Sequence, residues 1–348
     1  MSIRVLHLSS CEKFLPDYVK FVSDNFNVAN HHFHLTIGIA QERLNEIPNV
    51  SIEKKGLINK VLHYVLALVK MRQAEKIIIH GLFDNNILLM LLLMPWLCKK
   101  VYWVIWGADL YLYEATDKSV KWKIREAVRR RVIKNIGHLV TYIPGDIELV
   151  RRWYDNKGRY HECTLYPSNL YRDCKRPSAD NPELRIQVGN SADPANNHFD
   201  ALEKLKAIAN VDFKAYVPLS YGDKAHATKV INLGYETFGD KFVPLTEMQP
   251  LDDYIKFQNT LDIAIFNHKR QQAMGNTISL LGMGKTVYLR SDVTHWSFLQ
   301  SIGLTVYDIE KDAITKGEPE ALENNKKRVR TYFSIENLTR QWSSIFEV

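Results

Sequence analysis

Short apolar runs alternate with helix-forming stretches along nearly all of this 348-residue chain. In the first half the pattern predicts strands at 3–8, 32–39, 76–80, 101–106 and 138–142. The stretches between and after them predict helices at 17–25, 57–72, 87–97, 119–135 and 146–154. Alternation of this kind is typical of a parallel sheet that is covered by helices on both faces.

The alternation stops at 166–183, a segment with three prolines, and then begins again. The second series predicts strands at 184–188, 212–217, 241–243, 261–266 and 286–289. Its helices are predicted at 197–208, 226–233, 251–259, 276–283 and 294–302. A chain of 348 residues is too long for a single hydrophobic core, so we expect two domains. The two series of strands and helices predict an α/β GT-B architecture, with two doubly wound Rossmann-like domains and an interdomain cleft. The domains are 1–168 and 184–348, the linker is 169–183, and the last helix can pack back on the first domain.

The turn after the strand at 261–266 is the strongest indication of function. It offers Arg270, Gln271 and Gln272, and the next helix is expected to expose its first amides at Gly275, Asn276 and Thr277. Free amides and the positive end of a helix dipole favour phosphate. A second loop, with Gly189, Asn190 and Ser191, follows the strand at 184–188. Two such loops predict a bound nucleotide diphosphate, although an ordinary strand–helix loop remains the alternative.

Arg270 can balance the negative charge that grows on a departing diphosphate. No DxD motif occurs in the chain, so a reaction without a metal ion is favoured. Pro218 and Tyr221 follow another strand and can contact a base or a sugar. Pro218 can equally just end that strand.

In the first half, Gly107 and Asp109 follow the strand at 101–106. A carboxylate at the carboxyl edge of a sheet can act as general base for a hydroxyl, and capping the next helix is an equally good interpretation of Asp109. His80 and Asn85 follow the preceding strand and are candidate substrate contacts. A lone histidine at a strand end is often structural.

A basic block indicates an anionic partner. Between Lys118 and Lys134 the chain has eight Lys or Arg residues and one acid, Glu126, within a net charge of +7. Trp122 among these cations favours a membrane surface, and no nucleic-acid motif accompanies them. The apolar run at 87–98 is about half a membrane span and contains Pro95, so we expect a buried helix. Few cysteines and no secretory signal indicate a cytoplasmic protein.

Several segments, in order, resemble one family: HGLFDNN, IWGADLY, VGNSADPANNH, VPLSY, LTEMQPLDDY with Glu247, and RQQAMGNT. The chain is similar to the bacterial TDP-N-acetylfucosamine:lipid II N-acetylfucosaminyltransferases, the 4-alpha-L-fucosyltransferase family of enterobacterial common antigen synthesis. The resemblance implies transfer of a 4-acetamido-4,6-dideoxyhexose from a TDP-sugar to an undecaprenyl-diphosphate-linked saccharide, at the cytoplasmic face of the inner membrane.

By the same resemblance the second domain binds the TDP-sugar, no cofactor is needed, and Asp109 and Arg270 are the catalytic candidates. The residues that we expect to bind the donor are Gly189, Asn190, Ser191, Pro218, Tyr221, Glu247, Gln271, Gln272, Gly275, Asn276 and Thr277. His80, Asn85 and Gly107 would contact the acceptor. Two other classes stay open: a nucleotide-sugar 2-epimerase of the same architecture, and a non-catalytic subunit that binds a nucleotide sugar.

Overall fold

The computed structural model describes residues 4–44, 47–114, 119–173 and 183–347. The chain divides into two compact units, and each contains one parallel β-sheet with helices. Unit 1 comprises the residues up to Ser168 and those from Ile335 onward, and unit 2 comprises Asn169–Ser334. The prediction of two Rossmann-like α/β domains is confirmed. Most of the predicted linker, 174–182, lies outside the described residues.

The sheet of unit 1 has seven strands in the order β3-β2-β1-β4-β5-β6-β7, all parallel. They are β1 Val5–Ser10, β2 His31–Thr36, β3 Val50–Ile52, β4 Lys76–His80, β5 Val101–Val104, β6 His138–Thr141 and β7 Arg159–Glu162. The sequence pattern did not predict β3 and β7. Both are short edge strands with polar residues, so neither contains an apolar run.

The sheet of unit 1 is accompanied by α1 Leu15–Asn25, α2 Leu57–Gln73, α3 Asn85–Leu93, α4 Val120–Asn135 and α5 Pro144–Tyr154. The helix that we predicted at 87–97 is wrong at both ends. It begins earlier because Asp84 caps it, accepting hydrogen bonds from the Asn86 and Ile87 amides. It ends at Leu93 because Pro95 disfavours helical geometry in the residue before it. None of the helices in the described ranges has the length and apolarity to cross a bilayer.

Unit 2 has a six-stranded parallel sheet in the order β10-β9-β8-β11-β12-β13. Its strands are β8 Leu184–Val188, β9 Phe213–Pro218, β10 Phe242–Leu245, β11 Ile263–Phe266, β12 Thr286–Leu289 and β13 Tyr307–Asp308. Its helices are α6 His198–Leu205, α7 Lys224–Phe238, α8 Leu251–Asn259, α9 Met274–Gly282, α10 Thr294–Ser301 and α11 Pro319–Tyr332. The neighbours β8 and β11 are far apart in sequence, so the strand order reverses between them.

The chain ends in α12 Ile335–Glu347, which belongs to unit 1. Trp342 is fully buried there and donates from Nε1 to the Leu165 carbonyl at 2.9 Å. Lys76 donates from Nζ to the carbonyls of Ile345 and Phe346 at 2.9 and 2.8 Å. A cation at the carboxyl end of a helix opposes the negative end of its dipole, so Lys76 helps to hold this last helix on unit 1.

Candidate active site

In a doubly wound sheet, ligands bind beyond the carboxyl ends of the strands, at the point where the strand order reverses. In unit 2 this point lies between β8 and β11, and in unit 1 between β1 and β4. The loop after β8 begins at Gly189 and the loop after β11 leads to α9. These are the two loops in which the sequence predicted phosphate contacts.

Gly189 permits a close approach at the start of the first loop. Its φ is +69°, and a Cβ there would lie 2.7 Å from Nε2 of His198 and 2.8 Å from Oδ1 of Asn196. Asn196 then folds the loop back on itself, because its Oδ1 accepts from the Asn190 amide at 2.8 Å and its Nδ2 donates to Oγ of Ser191 at 3.2 Å. A side chain at 189 would therefore disrupt the loop.

One hydrogen-bond network joins the loops after β8, β9 and β11. Nε2 of His268 lies 3.1 Å from Oδ1 of Asn190 and 2.9 Å from Oδ1 of Asn196. Asn190 also donates from Nδ2 to the Tyr221 hydroxyl at 3.1 Å. Burial lowers the pKa of His268 to about 3, so the ring is neutral at pH 7 and donates from Nε2 to the amide oxygens. The structure thus brings the predicted residues Asn190, Ser191 and Tyr221 together.

Arg270, in the loop after β11, also contacts the loop after β8. Its guanidinium lies 3.7 Å from a carboxylate oxygen of Asp193, and a third of the side chain is exposed. The second oxygen of Asp193 accepts from the Ala195 amide at 2.8 Å, so this carboxylate is fixed by the loop. Arg270 is therefore oriented but still accessible to an anion.

The helix start after Arg270 lies earlier than we predicted. α9 begins at Met274, after Ala273 in a left-handed conformation with φ 58°. The Thr277 amide donates to the Ala273 carbonyl at 2.9 Å, so the predicted free amide at Thr277 is wrong. By helix geometry, the amides without a partner inside α9 are those of Met274, Gly275 and Asn276. Gly275 is exposed, and a Cβ there would meet no atom within 4 Å.

Several buried polar side-chain atoms without a partner lie around these loops. Within the described ranges, no hydrogen bond reaches the following buried atoms: His198 Nε2, Asn267 Oδ1, His268 Nδ1, Gln272 Oε1 and both ring nitrogens of His295. Since buried polar groups are nearly always hydrogen-bonded, such a group of atoms is typical of a site that binds a polar ligand or water. The sequence did not indicate His198, His268 or His295, because each is a single histidine with no motif around it.

The other residues that we predicted to contact the donor are Pro218, Glu247, Gln271 and Asn276. Pro218 is the last residue of β9, which agrees with the interpretation that it ends the strand. Glu247 is exposed after β10, and Gln271 is half-buried. Asn276 accepts from Nε2 of Gln258 at 3.2 Å through its side-chain oxygen.

Unit 1 has a pocket of about 310 Å³ at the corresponding point of its own sheet. Its polar lining includes Ser9, Ser10, His34, Thr36, Glu53, Lys60, His63, Tyr64 and Asp84. Asp84 is fully engaged, because it caps α3 and also accepts from the Tyr64 hydroxyl at 2.8 Å. No donor among the described residues reaches the Glu53 carboxylate. Glu53 is therefore the carboxylate of this pocket that is free to accept a proton.

Two neutral histidines line the same pocket. The rings of His34 and His63 stack with centroids 3.8 Å apart, and Nε2 of His34 donates to the His63 carbonyl at 3.0 Å. Burial lowers the pKa of both rings, that of His34 to about 3. The sequence did not predict these residues, because they come from β2, α2 and the residue after β3.

His80, a predicted acceptor contact, belongs to the lining of this pocket, but its ring is held by other side chains. It is 1% exposed, and both ring nitrogens are engaged: Nδ1 with the Tyr166 hydroxyl at 2.7 Å and Nε2 with Nδ1 of His7 at 3.1 Å. His7 continues this chain to Nδ1 of His31 at 3.1 Å. Burial lowers the pKa of His80 to about 3, so the ring is a neutral structural link.

Asp109 also has a structural role, which corrects its assignment as general base. Its side chain is completely buried, and burial raises its pKa. One carboxylate oxygen accepts from the Leu82 amide at 2.8 Å and from Nε1 of Trp103 at 2.6 Å, and the other accepts from the Trp106 and Leu110 amides. Four donors leave no lone pair directed at a substrate, so Asp109 organises the loops after β4 and β5.

The two remaining acceptor predictions have little support. Gly107 is buried in a turn with φ 80°, and its carbonyl accepts from the Tyr111 amide at 2.8 Å. Asn85 is exposed at the first position of α3 and does not line the pocket.

The basic block forms α4, apart from Lys118, which lies outside the described residues, and Ser119, which caps the helix. Half of its cations serve the fold. Arg129 is buried and donates to the carbonyls of Leu82 and Asp109, while Arg125 and Arg130 donate to those of Phe83 and Trp153. Lys134 forms an ion pair with Asp155 at 2.7 Å. Lys121, Lys123 and Arg131 remain exposed.

A metal centre would need a cluster of ligating side chains in the described part of the chain. No group of three or more His, Cys, Asp or Glu side chains there is placed to hold a metal ion.

Comparison with solved structures supports the two-domain architecture. A glycosyltransferase from Rickettsia africae ESF-5 matches with a TM-score of 0.66 at 13% identity, over 100% of this chain and 98% of that one. Anabaena HepE in complex with UDP matches with a TM-score of 0.68 at 8% identity, over 99% of both chains. WaaG, a glycosyltransferase involved in lipopolysaccharide biosynthesis, matches with a TM-score of 0.60 at 12% identity, over 99% and 98%. Identities this low establish the fold alone.

The sequence itself establishes the family. Residues 9–348 match the family described as 4-alpha-L-fucosyltransferase, glycosyl transferase group 56. The match spans nearly the entire chain and confirms the resemblance found in its motifs. This protein is therefore a GT-B glycosyltransferase that belongs to the 4-alpha-L-fucosyltransferase family.

Proposed function

We propose that this protein transfers a 4-acetamido-4,6-dideoxyhexose, similar to Fuc4NAc, from a TDP-sugar to an undecaprenyl-diphosphate-linked saccharide. The reaction belongs to the synthesis of a bacterial surface polysaccharide of the enterobacterial common antigen kind. The enzyme acts as a peripheral protein on the cytoplasmic face of the inner membrane. Family membership and the motifs at Gly189 and Arg270 support this proposal.

The geometry of the two loops in unit 2 is the observation that carries the proposal. Gly189 allows the chain to approach closely, and the amides at Met274, Gly275 and Asn276 have no partner inside α9. Arg270 lies between the two loops. As the bond from the sugar to the diphosphate breaks, negative charge grows on the leaving oxygen. Oriented amides and a guanidinium stabilise that charge without a metal ion.

The pocket of unit 1 is the proposed acceptor site. Glu53 is its free carboxylate, and it is the candidate base for the acceptor hydroxyl. The rings of His34 and His63 are neutral and so add no positive charge to this pocket. Lys60, on the same wall, is available to an acceptor diphosphate.

The anionic surface of the inner membrane is the proposed partner of the basic block. Its exposed cations Lys121, Lys123 and Arg131 can face lipid headgroups, each contributing about 1 kcal/mol near the surface. Nucleic acid is not proposed as a partner, since no recognition motif accompanies these cations.

A transfer assay tests the proposal directly. The purified protein is incubated with TDP-Fuc4NAc or the matching UDP-sugar, with and without an undecaprenyl-diphosphate-linked disaccharide, and the products are identified by mass spectrometry. We expect a glycosylated lipid and free TDP only when the TDP-sugar and the lipid-linked acceptor are both present. A TDP-sugar that is isomerised without acceptor would instead identify an epimerase, and one that binds unchanged would identify a non-catalytic subunit.

A further inference from the structure

The outward face of α2 is apolar and uncovered. Seven of its residues are between 43% and 84% exposed: Leu57, Ile58, Val61, Leu62, Val65, Leu66 and Val69. The opposite side of the helix packs on unit 1, where His63, Ala67 and Met71 are buried. A helix face with this many exposed apolar side chains is normally covered by a partner or in contact with lipid. The outward face of α2 therefore lacks a partner in this chain.

The same apolar surface continues on the neighbouring helices. α3 packs against α2, and α4 packs against α3. Leu89 and Leu93 on α3, and Trp96 just after it, are half exposed or more. Val120 and Ile124 extend the surface along the first turns of α4. We call these residues, together with the seven on α2, the apolar helix face. A contiguous exposed patch of this kind marks an interaction surface.

The charges beside the most exposed part of the apolar helix face are positive. From Lys54 to Ala74 the chain has no acidic residue, and exposed Lys54, Lys55 and Lys60 surround the most exposed part of α2. Residues 85–100 also contain no acid. Pairing with a second copy would bring these lysines face to face and cause repulsion. An anionic surface with an apolar interior is complementary to both the lysines and the exposed apolar side chains.

We infer that the apolar helix face docks on an anionic phospholipid bilayer, with α2 lying in the plane of the interface. The inward side of α2 provides Lys60, His63 and Tyr64 to the pocket of unit 1. Docking therefore brings one wall of that pocket close to the headgroups, where a lipid-linked saccharide is presented. This inference rests on the proposed function for the identity of the acceptor. It moves the main membrane contact from the cations of α4 to the apolar residues of α2 and α3.

Vesicle binding tests the inference without any sugar chemistry. The full-length protein is floated with vesicles of phosphatidylethanolamine and phosphatidylglycerol, and with vesicles of phosphatidylcholine alone. We expect binding to the anionic vesicles and at least about tenfold weaker binding for the triple variant Ile58→Gln, Leu62→Gln, Val65→Gln. These side chains are exposed, so we expect the variant to keep the wild-type melting temperature. Met248→Gln with Leu251→Gln, at exposed apolar positions of unit 2, is the matched control and should bind like wild type.

Salt dependence separates apolar docking from simple attraction between charges. Lys121→Gln with Lys123→Gln should weaken binding at low salt and make little difference at high salt, where surface charges are screened. The triple variant on α2 should lose binding at both salt concentrations. Equal vesicle binding by the triple variant and wild type would overturn the inference.

Formation of a dimer through the apolar helix face would also overturn the inference. If the wild type sediments as a dimer that the triple variant converts to a monomer, and neither binds vesicles, then a second copy covers the face and the inference is wrong. Failure of the proposed function looks different, because vesicle binding would be normal while no sugar is transferred from a TDP donor. The two results can therefore be told apart.

Discussion

The two units present similar sheet edges that are built in different ways. In unit 2 the site is made by loops, with Asn190, Asn196 and His268 joined directly across the point where the strand order reverses. In unit 1 the pocket is made by side chains from β1, β2, α2 and β4. A loop site holds a ligand mostly through backbone groups, which suits a diphosphate common to many donors. A pocket of side chains can be adapted to one acceptor.

Arg270→Ala should give the largest effect, because it removes the positive side chain oriented at the loop site. We expect turnover at saturating donor to fall by about 10²–10³-fold, as when one stabilising group is removed from a charged transition state. The melting temperature should hardly change, since the only ion pair of Arg270 within the described residues is a partly exposed one at 3.7 Å. Initial rates and thermal unfolding measure both quantities. Lys269→Ala, at the adjacent exposed cation, is the control, and near wild-type turnover in Arg270→Ala would exclude the role.

Glu53→Gln tests the pocket of unit 1 in the same way. Loss of a general base should lower kcat by about 10²–10⁴-fold and leave the KM for the donor unchanged, since the proposed donor site lies in unit 2. Steady-state kinetics with each substrate varied in turn provides the measurement. Glu42→Gln, at an exposed carboxylate of the same unit, should behave like wild type. Unchanged kcat in Glu53→Gln would assign the base elsewhere.

The difference between the units also explains what the sequence could predict. Gly189, Arg270 and Gly275 were predictable because a glycine after a strand and an arginine before a helix are local signals. The exact start of α9 was not predictable, because no rule of residue type gives Ala273 its left-handed conformation. Glu53 and His34 come from separate elements, and only the strand order β3-β2-β1-β4 brings them to one pocket. Local patterns do not contain that order.

Asp109 also shows what a local sequence pattern can and cannot predict. Its position after a strand predicted the carboxyl edge of the sheet correctly, and its chemistry was misjudged because its four donors come from three segments of unit 1. Burial of this kind depends on tertiary packing. The motif was therefore informative about location and not about role.

Asp109→Asn distinguishes the two roles. An amide cannot accept with both terminal atoms, so donors that now face one carboxylate oxygen would lose their acceptor, at a cost of about 1–3 kcal/mol for each buried donor left unpaired. We expect a lower free energy of unfolding in urea, while the fraction that remains folded turns over within a few-fold of wild type. A variant with wild-type stability and no activity would restore Asp109 as the base.

The smallest expected effect is a difference in acid sensitivity between the units. Eight of the twelve histidines belong to unit 1, and burial lowers the pKa of every one of them, for example His31 to about 4 and His34 to about 3. In unit 2, burial lowers the pKa of three: His198, His268 and His295.

An unfolded histidine has a pKa of about 6.5, so below that pH the unfolded chain takes up protons that the folded chain refuses. The contribution of the buried neutral histidines to the free energy of unfolding is therefore fully present above about pH 6.5. It is lost as the pH falls toward about 4, most strongly in unit 1. Hydrogen exchange at pH 7 and pH 5, corrected for the intrinsic rates, should show protection lost first in peptides that cover β1, β2 and β4. Peptides that cover β8 and β11 are the internal reference. Equal loss in both sets would mean that the buried histidines of unit 1 do not determine its response to acid.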